Sequence, residues 1–214
     1  MNTLEEWELD AMRELVNIAS GKAASALAML VGRRTMIEVP RVSVESIHAI
    51  ATIFGAPDQP IVVVAMQLLG DVRGQLLFLM PVARAQTLIA MLLQLAEGTT
   101  AEFDESGRSA IEETANVLAG AYAGTLGALI EAVVMISVPA FSVEPPVNAL
   151  ARAHTISDES ARALYIETSI SIGPGRESCD AHLVLIPQGG TLERLTSELA
   201  RRVIAPEWGV PPSA

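Results

Sequence analysis

The sequence predicts an α+β fold: two pseudo-symmetric halves sharing one mainly antiparallel sheet, with long helices packed on one side of it. Three observations predict it. The order helix, strand, strand pair, helix is written twice along the 214 residues. Glu14 and Glu113, Asn17 and Asn116, and Pro40 and Pro139 all lie 99 positions apart. Half of the residues are apolar but only 4% are aromatic, so the core must be built from Ala, Leu, Val, Ile and Met. A period with only two copies reads as a pair sharing one core rather than as a solenoid.

The elements follow in order. Leu4–Val31 is rich in Ala, Leu and Met, and Trp7, Ala11, Leu15 and Ile18 form one helical stripe. Gly32, Arg33 and Arg34 end it, with cations at the negative end of the helix. Thr35–Val44 alternates as a strand, and Pro40 marks an edge or a strand end. A turn-rich stretch with Gly55, Pro57 and Pro60 leads to two strands, Ile61–Leu69 and Gln75–Met80, joined through Gly70–Gly74. Pro81 opens a helix, Val82–Leu95, and Ala96–Glu105 reads as a linker.

The second half repeats this order. Asp104–Ile130 is helical and is expected to divide around Gly120 or Gly124. Val133–Val143 is a strand containing Pro139, Leu164–Ile172 and Ala181–Ile186 flank a Gly173-Pro-Gly175 turn, and Thr191–Val203 is a last helix. Pro81 and Pro187 are 106 apart, so the second half carries an insertion, placed at Pro145–Ser160. The expected organisation is one domain over residues 1–205, with repeats at about 4–97 and 104–203, and a C-terminal tail at 206–214.

Composition excludes several functions. The net charge is −11 without any Lys/Arg run, so the footprint for nucleic acid or an anionic membrane is missing. The N-terminus carries Glu5, Glu6 and Glu8 where a secretory signal carries cations, and a cytoplasmic protein is expected. His48, His154 and His182 are scattered and fit no metal-ligand spacing. Cys179, the single cysteine, reads as a half-buried structural thiol. No glycine-rich phosphate loop with its lysine is present.

One constellation carries chemistry. Asp10, Glu14 and Asn17 are spaced i, i+4, i+7, and Ser109, Glu113 and Asn116 repeat that spacing. At about 100° per residue each trio falls within an arc of roughly 60°, a narrow polar strip expected to face solvent. Asn is a poor helix former and gains little on an exposed helix, so two of them at one offset call for a reason beyond the helix.

Asp10-x3-Glu14-x2-Asn17-x22-Pro40 and Ser109-x3-Glu113-x2-Asn116-x22-Pro139 resemble the paired signature of the CheC/CheX/FliY family of chemotaxis phosphatases. The resemblance runs over residues 5–203, and its duplicated layout is most like CheC. It implies hydrolysis of the aspartyl phosphate on a CheY-like response regulator. Asn17 and Asn116 would each orient the attacking water, and Glu14 and Glu113 would pair with the regulator's active-site Lys. Asp10 and Ser109 would support docking. The family implies no cofactor from this chain, the Mg²⁺ being the regulator's own, and CheD as a further possible partner. The same strips also fit a non-catalytic adaptor that holds a phosphorylated regulator or CheD.

Overall fold

A computed structural model describes residues 6–56, 58–96, 99–154, 162–173, 178–188 and 198. The predicted helix Thr191–Val203, apart from residue 198, and the predicted tail lie outside the described residues. The first half contains α1 (Glu6–Val31), β1 (Thr35–Ser46), α2 (Ile47–Ile53), β2 (Ile61–Gly70), β3 (Gly74–Pro81) and α3 (Val82–Leu93). The second contains α4 (Glu105–Ile130), β4 (Val134–Ile136), β5 (Ala140–Glu144), α5 (Pro146–His154), β6 (Arg162–Ile172) and β7 (Ser178–Pro187).

The seven strands form one sheet in the order β1-β6-β7-β3-β2-β4, with β5 also paired to β2. Every pairing is antiparallel. The hairpins β2–β3 and β6–β7 meet at the centre, where Leu77 faces Val184. The first strand of each half then crosses to the other half's hairpin: β1 runs along β6, and β4 and β5 run along β2. The halves are therefore interlocked through backbone hydrogen bonds.

Side-chain alternation splits the core into two layers, as a period of two requires. Val62, Val64, Met66, Phe78, Met80, Ile166 and Leu183 face the layer that receives α1, α3 and α4. Ile61, Val63, Leu77, Leu79, Tyr165 and Val184 face α2 and α5. The site-bearing helices thus share one side of the sheet, and two short helices cover the other. Sequence reading missed both: Ile47–Ile53 fell in the stretch taken as turns, and Pro146–His154 in the stretch taken as an insertion. At seven and nine residues they are too short to display a period. Ser46 caps α2, its hydroxyl accepting from Ala49 N at 3.1 Å.

Two further expectations are corrected. α4 does not divide; it runs unbroken through Gly120 and Gly124. Each glycine costs a helix interior about 1 kcal/mol relative to alanine. Burial of Ile111, Ala115, Leu118, Tyr122 and Leu126 on one face of α4 outweighs that cost. The strand around Pro139 is in fact two, β4 and β5, with Ser137 bridging the gap by donating its N–H to Gln67 O while its hydroxyl accepts from Gln67 N, both at 2.9 Å. Pro40, in contrast, sits within β1, where the register shifts between Glu38 and Arg41. An edge strand with a bulge is where a residue lacking an N–H is tolerated.

α1 over Leu9–Val31 is long and apolar enough, by length and composition, to cross a membrane. Its apolarity has a use in the fold: Met12, Val16, Ala19, Ala23 and Leu27 are buried in the core. Between α1 and α4, Ser20 Oγ and Tyr122 Oη share a 2.6 Å hydrogen bond, and Lys22 Nζ donates to Thr125 Oγ1 at 3.3 Å. Burial pushes the Tyr122 phenol up to about 12, so it remains protonated at neutral pH.

Candidate functional site

α1 and α4 are the same length, 26 residues, and start 99 positions apart at Glu6 and Glu105. Matching positions on the two helices can therefore be compared directly. On α1 the buried face is Met12, Val16, Ala19 and Ala23, which turns Asp10, Glu14 and Asn17 outward, and all three are exposed. On α4 Ser109 and Glu113 are exposed and Asn116 is half-buried. Glu and Asn are one turn apart in each helix, a rise of about 4.5 Å. Among the described residues, no side-chain hydrogen bond or ion pair engages Glu14, Asn17, Glu113 or Asn116. Their polar atoms are free to meet a visitor.

The start of α4 is fixed by Asp104, whose side chain accepts from Gly107 N at 2.8 Å. That cap sets the rotation of the first turn, and with it the direction of Ser109 one turn later.

The two strips differ in what surrounds them. Asp10 accepts from Arg13 Nη1 at 2.7 Å, with both side chains more than half exposed, so the pair contributes little to stability but neutralises the end of the strip. The position that matches Arg13 on α4 is Glu112, which adds a carboxylate instead. Ser109 borders a cleft of about 730 Å³ lined by Phe103, Asp104, Glu105, Arg108, Glu112 and Phe141. Arg108 Nε donates to Phe103 O at 2.8 Å, and its guanidinium lies over the Phe141 ring, 5.6 Å from the centroid. Sequence reading did not single out Arg108, Phe103 or Phe141. The one available signal was Arg108 standing where α1 has Leu9, a change of character at an otherwise repeated position.

The other chemically distinctive groups stand apart from the strips. His182 is buried on β7, bonded through Nδ1 to the Tyr165 hydroxyl at 2.7 Å, in the layer facing α2. Burial lowers its pKa from 6.5 to about 4, so it is neutral at pH 7. Cys179 is fully buried rather than half-buried, and its thiol donates to Arg84 O at 2.8 Å. The side chain of His154 lies outside what is described. Among the described residues no group of three His, Cys, Asp or Glu side chains is placed to hold a metal ion.

Comparison with known proteins places each strip in a matched segment. Residues 8–44, which hold Asp10, Glu14, Asn17 and Pro40, match the CheC-like family. Residues 62–167, which hold Ser109, Glu113, Asn116 and Pro139, match the model described as chemotaxis phosphatase CheX. The CheY-P phosphatase CheC of Bacillus subtilis (strain 168) is 28% identical over 197 residues, covering 91% of this chain and 94% of that protein. Among solved structures, FliY of Thermotoga maritima covers 94% of this chain and 100% of its own, with a TM-score of 0.75 at 22% identity. The FliM middle domain from H. pylori covers 91% and 99%, with a TM-score of 0.62 at 13% identity. At those identities the structural likeness speaks for the fold. Two matched segments, each holding one strip, and a relative aligned over nearly its whole length assign the chain to the CheC/CheX/FliY family of chemotaxis phosphatases.

Proposed function

We propose that this protein hydrolyses the aspartyl phosphate of a CheY-like response regulator. The observation that carries the reading is the pair of strips: each of two long helices holds out a carboxylate and a carboxamide, one turn apart and without partners among the described residues. The Bacillus subtilis relative, named for its action on CheY-P, supports the choice of substrate.

An acyl phosphate needs little covalent help to hydrolyse. It needs a water held in line with the P–O bond and its charge neutralised. The regulator's own Mg²⁺ and Lys supply the neutralisation, so this chain needs no metal of its own. Asn17 or Asn116 accepts from the water and orients it at phosphorus. The water oxygen forms the new P–O bond as the acyl P–O bond breaks. The regulator recovers its Asp carboxylate, inorganic phosphate leaves with one of the water's two protons, and the other proton passes to solvent. Glu14 or Glu113 pairs with the regulator's Lys and sets the docking register, a contact worth most when shielded by the interface. Asp10 and Ser109 extend that contact.

Phosphate release from a phosphorylated regulator of the same cell tests this, comparing wild type with Asn17→Ala, Asn116→Ala and the double variant at sub-stoichiometric amounts. Each single variant should keep the other strip's share of the rate, and the double should lose on the order of 10²-fold. Equal rates in all four proteins, with binding retained, would make the chain an adaptor and overturn the proposal.

A further inference from the structure

Helices α1 and α4 pack on each other, and most of their matching positions differ. Between residues 10 and 25, the exposed positions of α1 that α4 repeats identically are Glu14, Asn17 and Gly21, matched by Glu113, Asn116 and Gly120. The carboxylates and carboxamides have their proposed roles. The glycines have none so far, and the fold does not supply one.

A Cβ built on Gly21 would meet nothing within 4 Å, and one on Gly120 would meet only Ile136 Cδ1 at 4.0 Å, an ordinary contact. Neither residue has a positive φ. Both lie in helix interiors, where only proline is worse than glycine. Other glycines of α4 contrast with them. A Cβ on Gly107 would come within 2.2 Å of Glu102 O, and one on Gly127 within 2.7 Å of Ala132 O, so packing requires glycine at both. Gly124 is as open as Gly21, but α1 has Ser25 in its place. At Gly21 and Gly120 alanine would suit the helix better, yet both strips keep glycine.

Each glycine lies four residues after the Asn of its strip, about 6 Å along the helix axis and about 40° around it. Glycine on a surface marks where another backbone can come close. We propose that Gly21 and Gly120 are positioning residues for the docked regulator. Each leaves the helix surface bare, so that the main chain beside the regulator's phosphorylated aspartate lies directly on it. This rests on the phosphatase reading above and deepens it: the glycine sets the distance across which the Asn-held water meets phosphorus. A methyl group there would hold the regulator off, and about 1 Å of misplacement can cost on the order of 10²-fold in a reaction that depends on positioning.

The test uses Gly21→Ala, Gly120→Ala, the double variant and Gly124→Ala as a control. Three quantities are read: melting temperature, affinity for the regulator held active by beryllofluoride, and phosphate release from the phosphorylated regulator. Every alanine should raise the melting temperature, by about 2–4 °C. Gly124→Ala should keep wild-type affinity and turnover. The double variant should lose at least about tenfold in affinity and more in turnover. A double variant that binds and turns over like wild type overturns the proposal, as does a melting temperature lowered by alanine, which would return the glycines to the fold. Failure of the phosphatase reading looks different. Full turnover in the Asn17→Ala/Asn116→Ala protein, with affinity still lost in the glycine double, would remove the mechanism and leave the close contact standing.

Discussion

Lowering the pH should weaken this fold through His182 in particular. The ring is buried against Phe54, with centroids 4.9 Å apart, and against Tyr165, with which it shares a hydrogen bond. Burial moves its pKa from 6.5 down to about 4, with Asp180 opposing. Glu167 stands opposite it in register on β6, and the Arg41 guanidinium lies 5.5 Å from the Tyr165 ring centroid. Between pH 6.5 and about 4 the unfolded chain holds a proton that the folded chain refuses. Stability from this group is therefore complete above about pH 6.5 and declines as pH falls toward 4. At about 1.4 kcal/mol per pH unit, the decline amounts to about 3 kcal/mol. Urea denaturation at pH 7.5, 6.5, 5.5 and 4.5 measures it, with His182→Gln as comparison, since glutamine can still bond Tyr165 but does not titrate. The variant's stability should fall by about 3 kcal/mol less than wild type across this window. Parallel profiles for the two proteins would refute the reasoning, because the carboxylates contribute equally to both.

Two further perturbations probe the helices that carry the strips. Tyr122→Phe removes the bond to Ser20 Oγ and leaves that buried hydroxyl without its partner, so unfolding free energy should drop by about 1–2 kcal/mol in urea titrations. Asp104→Ala removes the cap of α4 and should cost about 1 kcal/mol, seen as a melting temperature about 2–4 °C lower. Because the cap orients the turn before Ser109, its loss should slow phosphate release more in an Asn17→Ala background, where α4 works alone, than in an Asn116→Ala background.

The strips were legible in the sequence because they depend on two properties that a chain displays locally: helical spacing and a repeat offset. Asp10, Glu14 and Asn17 occupy one face whatever the helix packs against, and the 99-residue offset identifies the partner helix. What was not legible depends on distant neighbours. The predicted division of α4 followed from the low propensity of Gly120 and Gly124, which the buried face of the same helix overrides. The crossing of β1 to β6 pairs Val42 with Ile166, more than a hundred residues away, and no local pattern announces such a partner. The neutralisation of Asp10 by Arg13 could have been read from their i, i+3 spacing. The aromatic wall beside Ser109 could not, since it brings Phe103 from before α4 together with Phe141 from β5.

The exchange of first strands constrains how the chain comes into being. While it is synthesised, β1 is complete long before Arg162–Ile172, its hydrogen-bonding neighbour, has left the ribosome. For that interval a twelve-residue strand has its backbone groups unmatched, interrupted at the register shift around Pro40, where one N–H is missing. Neither half can mature first and wait for the other. The last hairpin alone joins β1 to β3, so a ribosome-bound nascent chain halted before residue 162 should remain a client of chaperones, however complete its first hundred residues look.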